Sequence, residues 1–513
     1  MNGLLPGRPV SLWTATAGTT GYPSLDSDVD VDVAVIGGGV AGLTAALALK
    51  RSGQTVAVLE AARVGTGVTG HTTGKVTSLH RLAYTELASN HGDSTAHTYG
   101  QANQAAVEHI ARTVAEEGID CGFRRVANYT YAESERTLEL VRAEAGHAAR
   151  LGLPSTFTTD VPLPFPVRGA VRFDDQAQFH STRYLQGLAR SVDGGGSFVF
   201  EESRALSFRD GSPAIVTTET GTVRAREVIM ATNVPFGDEG RFDTRCYLHR
   251  SYIVASRAEG PAPDATFIGA DEPMRSILTA AIDGASFVLA GGEGHRASDG
   301  GDPASRYGRL AAFAREQLGA GEPAFRWSTQ DVMPVDGLPY VGLLSPEAKH
   351  VHVITGLRKW GLTNGTAAAL ILTDVLSGRN NPWAAVFDSS RGTPASGNSP
   401  LPGAAAPAAP AQAEPPPRGL TLPPPGAGAV LDLDGGPAAV YTDPGGQVRA
   451  VSAICTHLGC TVGFNAADKS WDCPCHGSRF ALDGSVIQGP ATKDLVTRKL
   501  VAHGGEPGAG QPE

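Results

Sequence analysis

The sequence predicts an α/β Rossmann-type domain interrupted by an inserted α+β domain, then a Pro/Ala-rich linker and a small all-β domain. Three observations carry that expectation. VDVAVIGGGVAGLTAALALKRSGQTVAVLEA reads as strand, glycine turn, amphipathic helix and a second strand ending in an acid. From about Ser389 to Gly428 the composition changes abruptly to Pro, Ala, Gly and Ser. Beyond it, short strand-like runs separated by DGG and DPGG lead into two loops that hold Cys455, Cys460, Cys473, Cys475, His457 and His476.

A chain of 513 residues exceeds what one core serves, so two or three domains are expected. Hydrophobic residues at 41% and charged residues at 18% are those of a globular protein. A formal net charge of -10 and a pI near 5.8 argue against a nucleic-acid partner, which would need a basic face. The start, MNGLLPGRPVSLW, has neither a basic n-region nor an apolar h-region, so no signal peptide is expected. The longest apolar run, Val31 to Leu49, is broken by three consecutive glycines and Asp32 and reads as strand, loop and helix rather than a membrane span. The expected location is cytoplasmic.

In the first motif Gly37 permits the tight turn, Gly39 lets the backbone approach a pyrophosphate, and Gly42 lets the helix pack close to the strand. The helix N-terminus then stabilises phosphate and Glu60 takes a ribose hydroxyl, with Ala61 and Arg63 beside it. FAD and NAD share this fingerprint. The segment Arg63 to Thr77, RVGTGVTGHTTGKVT, supplies small hydroxyls and flexible backbone suited to a loop beneath a flavin, with Thr69, Gly70, His71, Thr72 and Thr73 nearest the ring. This pattern resembles the D-amino acid oxidase superfamily of FAD enzymes. In that light REVIMATNVPF resembles the strand with which such proteins return to FAD at Ala231 and Thr232, and Ala205 is placed near the adenine. VHVITGLRKWGLTNGTAAALILTDVL then brings Gly356, Gly361, Leu362 and Thr363 to a second helix N-terminus, where positive charge favours a reduced flavin. No second GxGxxG appears, so a separate NAD domain is not expected.

The segment from about 80 to 165 reads as mainly helical, and RCYLHRSYIVAS and ASFVLAGG read as strands. The resemblance implies that these insertions form a substrate domain roofing the flavin. The expected boundaries are a leader at 1–29 and an oxidoreductase domain at 30–388. FAD-binding parts fall at about 30–80, 165–240 and 331–388, and substrate parts at about 81–164 and 241–330. The linker runs over 389–427 and the last domain over 428–505.

Cys455 with His457, and Cys473 with His476, form a Cys-x-His and a Cys-x-x-His pair. Two thiolates and two imidazoles in that arrangement suit a [2Fe-2S] cluster with one iron held by sulfur and the other by nitrogen. A structural zinc site uses the same residue types but favours pairs of one type. The stretch resembles the Rieske signature in its disulfide-bearing variety, which implies a bond between Cys460 and Cys475. Cys121 and Cys246 stand alone and read as core thiols. Ser478 occupies the place where high-potential relatives bond a cluster sulfide through a hydroxyl, and Phe480 stands where they carry tyrosine, so a moderated potential is expected.

Taken together, the chain resembles FAD-dependent oxidoreductases with a C-terminal Rieske domain. The resemblance implies hydride transfer from a small organic substrate, an amine or amino acid, to FAD, with electrons leaving through the cluster to a redox partner protein or a small acceptor. Reverse flow from cluster to flavin, feeding reduction or monooxygenation, and a redox sensor or carrier are the alternatives. Candidate catalytic groups are His71 in the flavin loop, Lys359 before the last helix, and Arg250 as a clamp for a carboxylate. His249, Tyr252, His295 and Arg296 are nearby candidates, whereas Asp331 and Asp336 are expected to fix loops.

Overall fold

The computed structural model describes residues 5–237, 239–392, 421–433 and 436–499. The chain divides into two compact units, residues 1–411 and 412–513. Most of the expected linker, 393–420, and the end of the expected last domain, 500–505, lie outside the described residues.

The first unit is built on two sheets. One is eight-stranded, and its parallel core runs Val351–Thr355, Thr222–Asn233, Val29–Ile36, Val56–Leu59, Phe198–Phe200, with Tyr340–Leu343 added antiparallel at the edge. Val33, Ala34 and Val35 are wholly buried, as befits a central parallel strand covered on both faces. The helices Val40–Arg51 and Gly361–Leu376 pack on one face of this sheet, and Ser181–Val192 packs against the first of them.

The second sheet has nine strands in the order Ala320–Pro334, Cys246–Ala258, Ala285–Arg296, Arg275–Ile282, Thr266–Gly269, Arg124–Ala132, Gly169–Gln178, Lys75–Val76, with Ser155–Thr158 on Gly169–Gln178. Side chains alternate between its faces. On one face Tyr252 meets Tyr307 of the helix Pro303–Leu318. Asp302 starts that helix by accepting from Ala304 N and Ser305 N, and Gly319 ends it in the left-handed region at φ 59°. On the other face Ile253, Leu289 and Trp327 bury Leu12 and Trp13.

Several elements differ from expectation for local reasons. The helical pattern after residue 83 is two helices, Ala83–His91 and Asp93–Glu116, broken at Gly92, whose φ is 84°. The expected leader contains a capped helix, Leu12–Thr16, whose apolar side is buried. Gly169–Gln178 and Lys75–Val76, placed by sequence with the cofactor-binding parts, pair into the second sheet. Ser389 is buried and Arg391 bonds Asp336 at 2.7 Å, so the first residues of the expected linker pack on the first unit.

The second unit consists of a three-stranded sheet, Gly428–Leu433, Gly436–Thr442 and Val448–Ser452, and a four-stranded one, Gly463–Asn465, Ser470–Asp472, Arg479–Phe480 and Val486–Gln488. Trp471 and Phe480, both fully buried, centre its core, and Arg479 ties Asp468 and Asp472 together at 3.1 Å each.

Candidate functional site

The glycine turn is shaped by what surrounds it. A Cβ on Gly42 would lie 2.0 Å from the Gly37 carbonyl oxygen, and one on Gly37 2.6 Å from the Ala231 carbonyl oxygen. Gly37 also has φ 110°, a region open to glycine. Gly39 caps the helix Val40–Arg51 with no side-chain bond of its own, so the first-turn N–H groups beyond Val40, whose N–H goes to Thr69, stay available to an anion. Glu60 accepts from Gly38 N and Ala62 N, both at 2.9 Å, and its burial raises its pKa. Thr69 accepts from Val40 N at 3.2 Å, which draws the following loop onto this turn. Ala231 and Thr232 end the neighbouring strand beside Gly37, and Ala205 is buried just before Ser207–Arg209. Arg63 turns to the Thr20 carbonyl and Glu202, which leaves Ala61 as the bare backbone beside the acid.

The loop after Thr69 runs under the second sheet. Its carbonyls are fixed from outside: Ser11 Oγ donates to Gly70, Trp327 Nε1 to His71 at 2.9 Å, and Trp13 Nε1 to Thr72 at 2.7 Å. The His71 ring closes on the Gly67 carbonyl through Nδ1 at 2.9 Å. Thr73 reaches Gly291, where an added Cβ would meet its methyl at 3.4 Å. Gly291 is therefore an opening in the sheet face that the loop fills.

Gly356, Arg358 and Lys359 have φ of 73°, 56° and 69°, so the loop before the helix Gly361–Leu376 is tightly coiled. Arg358 is held by Glu86 at 2.9 Å and by the Gly337 carbonyl. Lys359 Nζ donates to Ser251 Oγ at 3.1 Å. Leu362 and Thr363 are buried, and Thr363 Oγ1 donates to the Thr77 carbonyl at 3.0 Å. His80 bonds the same hydroxyl and stacks on Trp360 at 4.6 Å. The helix start has no side-chain cap and no acid in its first turn.

Register sorts the polar groups of the sheet. His249 pairs with Asp331, Ser251 with Thr329, and Ile253 with Trp327 and Gly291, so all these share the face toward the loops. Burial pushes the Asp331 carboxyl up to about 6, against the pull of Lys359. Burial also lowers Lys359 to about 8 and His249 to about 2, so His249 is a neutral ring at neutral pH. Its Nδ1 and Thr329 Oγ1 are buried without hydrogen-bond partners among the described residues. Arg250 is one residue out of phase. It lies on the helix face, bonds Gln330 at 3.0 Å, and stands opposite His295, which bonds Tyr252. The expected carboxylate clamp is thus separated by the sheet from His71 and Lys359, because a one-residue step reverses the face.

In the second unit Cys455 and Cys473 are buried in the same core. The His457 and His476 rings stand 4.9 Å apart at 82°, nearer the surface. Cys460 and Cys475 form a disulfide, and both their sulfurs lie within 4.8 Å of the Cys473 sulfur. The sulfur pair is inside, the imidazole pair outside, and the disulfide joins the two loops.

A glycine-rich dinucleotide turn under a polar sheet face, carried in one chain with a Cys/His two-loop β unit, defines a flavin-dependent oxidoreductase with an iron–sulfur domain. The comparisons specify the family. The model for FAD dependent oxidoreductases matches residues 32–375, and that for the Rieske [2Fe-2S] domain matches 421–499. The chain belongs to the FAD-dependent oxidoreductases and bears a C-terminal Rieske domain; its cofactors are FAD and a [2Fe-2S] cluster. It is 32% identical over 95% of its length to a Bacillus subtilis (strain 168) protein named as a Rieske 2Fe-2S iron-sulfur protein, YhfW, and covers 97% of that protein. It is 27% identical over 42% of its length to gamma-glutamylputrescine oxidoreductase of Escherichia coli (strain K12), covering 52% of it. Glycine oxidase from Geobacillus kaustophilus shares the fold over 71% of this chain and all of its own, at 20% identity and a TM-score of 0.62.

The residues present fit these groups. Gly37 and Gly42 let the turn close tightly on the Ala231 and Gly37 carbonyls, Gly39 leaves the backbone bare at the helix start, and helix starts without a side-chain cap from their N-cap residues suit a pyrophosphate and an anionic ring. Paired buried thiols and outward imidazoles suit the two irons. Sequence reasoning missed Ser251, Trp13 and Trp327 as supports of the site. Ser251 and Trp327 are placed by register across strands far apart in the chain, and Trp13 by the docking of the Leu12–Thr16 helix; no local motif carries either signal. Among the described residues no helix is long and apolar enough to cross a membrane.

Proposed function

We propose that this protein oxidises a small amine or amino acid and delivers the electrons, one at a time, through its Rieske cluster to an external acceptor. The observation that carries this reading is the coexistence, in one chain, of the FAD domain beneath a polar sheet face and the Rieske domain. The relatives named for glycine and gamma-glutamylputrescine support an amine-bearing substrate.

In this reading Gly37, Gly39, Gly42 and Glu60 hold the dinucleotide, and Thr69, Gly70, Thr72, Thr73, Gly361, Leu362 and Thr363 shape the ring site. Bound FAD supplies the hydride acceptor. The substrate's C–H bond gives up its electron pair as hydride while the nitrogen lone pair forms C=N, so the amine must arrive unprotonated. Neutral His249, with Nδ1 free to accept, receives an N–H of that amine. Lys359 supplies positive charge at the ring while it is protonated, and Ser251 fixes its direction. His71 sets the loop through Gly67 and Trp327 rather than taking a proton. Cys455, His457, Cys473 and His476 hold the cluster, under the Cys460–Cys475 clasp.

An anaerobic screen of amines, amino acids and hydroxy acids for loss of the flavin absorbance tests the assignment. Bleaching by an amine-bearing compound supports it, and bleaching by hydroxy acids alone would replace it.

A further inference from the structure

Lys75 stands out among the buried groups that the reading above leaves unused. It follows Thr73 by two residues, is 6% exposed, and donates from Nζ to the Phe267 carbonyl and to Ser276 Oγ. Ser276 pairs with Gly291, the position that Thr73 fills, so the Lys75 ammonium lies on the loop-facing side of the sheet. Ile268 pairs with Ser276 and with Thr130, which places Thr266 and its partner Asn128, two residues back on each strand, on that same side.

This cluster is unfinished. Asn128 and Thr266 are both fully buried, and neither amide atom of Asn128 nor the hydroxyl of Thr266 has a hydrogen-bond partner among the described residues. Leaving such groups unpaired costs roughly 1–3 kcal/mol each, so they imply an occupant. Among the described residues no carboxylate bonds Lys75, and burial alone lowers its pKa to about 7. An ammonium, an amide and two hydroxyls, without an acid among them, match an anion that accepts several hydrogen bonds.

We propose that Lys75, Asn128, Thr266 and Ser276 form a buried subsite for the carboxylate group of the substrate, which makes the substrate an amino acid rather than a simple amine. This rests on the proposed oxidation of an amine-bearing compound and names its second anchoring group. His249 takes the nitrogen end and the Lys75 cluster takes the acid end. Arg250, on the opposite face, takes neither.

The test uses the full-length holoprotein and two readouts. Calorimetry with propionate, an acid that has no amine to oxidise, reports the subsite without turnover; anaerobic flavin bleaching compares an amino acid with its decarboxylated amine. Lys75→Met should weaken propionate binding at least about tenfold and remove the preference for the amino acid, whereas Lys75→Arg should keep part of both. Asn128→Leu should weaken propionate binding severalfold with Lys75 in place. Propionate binding lost on Lys75→Met, with no compound bleaching the flavin, would keep the subsite and overturn the amine oxidation. Unchanged propionate affinity in both Lys75→Met and Asn128→Leu proteins that retain FAD, or bleaching by amines equal to that by amino acids, would overturn the subsite.

Discussion

Lys359 Nζ donates to Ser251 Oγ at 3.1 Å and so ties the coiled loop before the helix Gly361–Leu376 to the strand Cys246–Ala258 of the second sheet. The bond fixes a cation where the two sheets' loops converge. Burial lowers the pKa of this ammonium from the usual 10.5 to about 8, so its charge is present below pH 8 and is lost as the pH rises through that value. The rate of anaerobic flavin reduction, divided by the fraction of substrate present as free amine at each pH, should therefore fall above pH 8, by roughly tenfold for a screened charge interaction of ~1–2 kcal/mol. Lys359→Met should flatten the profile at the lower level, and Lys359→Arg should hold the higher level past pH 9.

Gly42→Ala tests the dinucleotide turn. Its added methyl would lie 2.0 Å from the Gly37 carbonyl oxygen, a backbone atom that can yield only if the turn opens. The purified variant should retain little FAD, measured by the flavin released on denaturation, while keeping its Rieske absorbance.

Arg391 and Asp336 form an ion pair at 2.7 Å with the Asp336 side chain fully buried, and Arg391 also donates to the carbonyls of Leu338 and Pro339. Removing the cation leaves a buried carboxylate without a counter-charge, held among the described residues only by the Leu338 N–H, which costs about 3–5 kcal/mol. Arg391→Ala should lower the thermal unfolding midpoint of the first unit by several degrees and leave the cluster intact.

Phe480 is fully buried in the core that includes Cys455 and Cys473. Phe480→Tyr adds a donor to the surroundings of the cluster sulfurs. A net hydrogen bond of about 1 kcal/mol corresponds to roughly 40 mV for one electron, so redox titration should show a rise of that order. A fall would remove the explanation of a moderated potential.

Much of the fold was legible because its signals are local. Gly37, Gly39, Gly42 and Glu60 lie within one strand-turn-helix-strand run, and the Rieske loops fall within residues 455–478. The proposed substrate side was legible only in part: His249 stood out by residue type, but its grouping with Lys75, Asn128, Thr266, Ser276 and Asp331 on one face comes from pairing between distant strands. Arg250 shows the limit most clearly: its residue type suited a carboxylate, but only the register with Gln330 and His295 reveals which face it takes. Gly92 and the docked Leu12–Thr16 helix show the same limit at smaller scale. Neither a single left-handed residue nor a tertiary contact of a short segment appears in periodicity.

The direction of electron flow is the central claim, and an anaerobic substrate titration that follows flavin and cluster absorbance together tests it most directly. An amino acid should bleach the flavin first and the cluster afterwards in the same protein, and Cys473→Ser, which removes the cluster, should preserve the flavin step while abolishing reduction of a one-electron acceptor. If no amine or amino acid bleaches the flavin, while a chemical reductant reduces the cluster and then the flavin, electrons run the other way and the account is wrong.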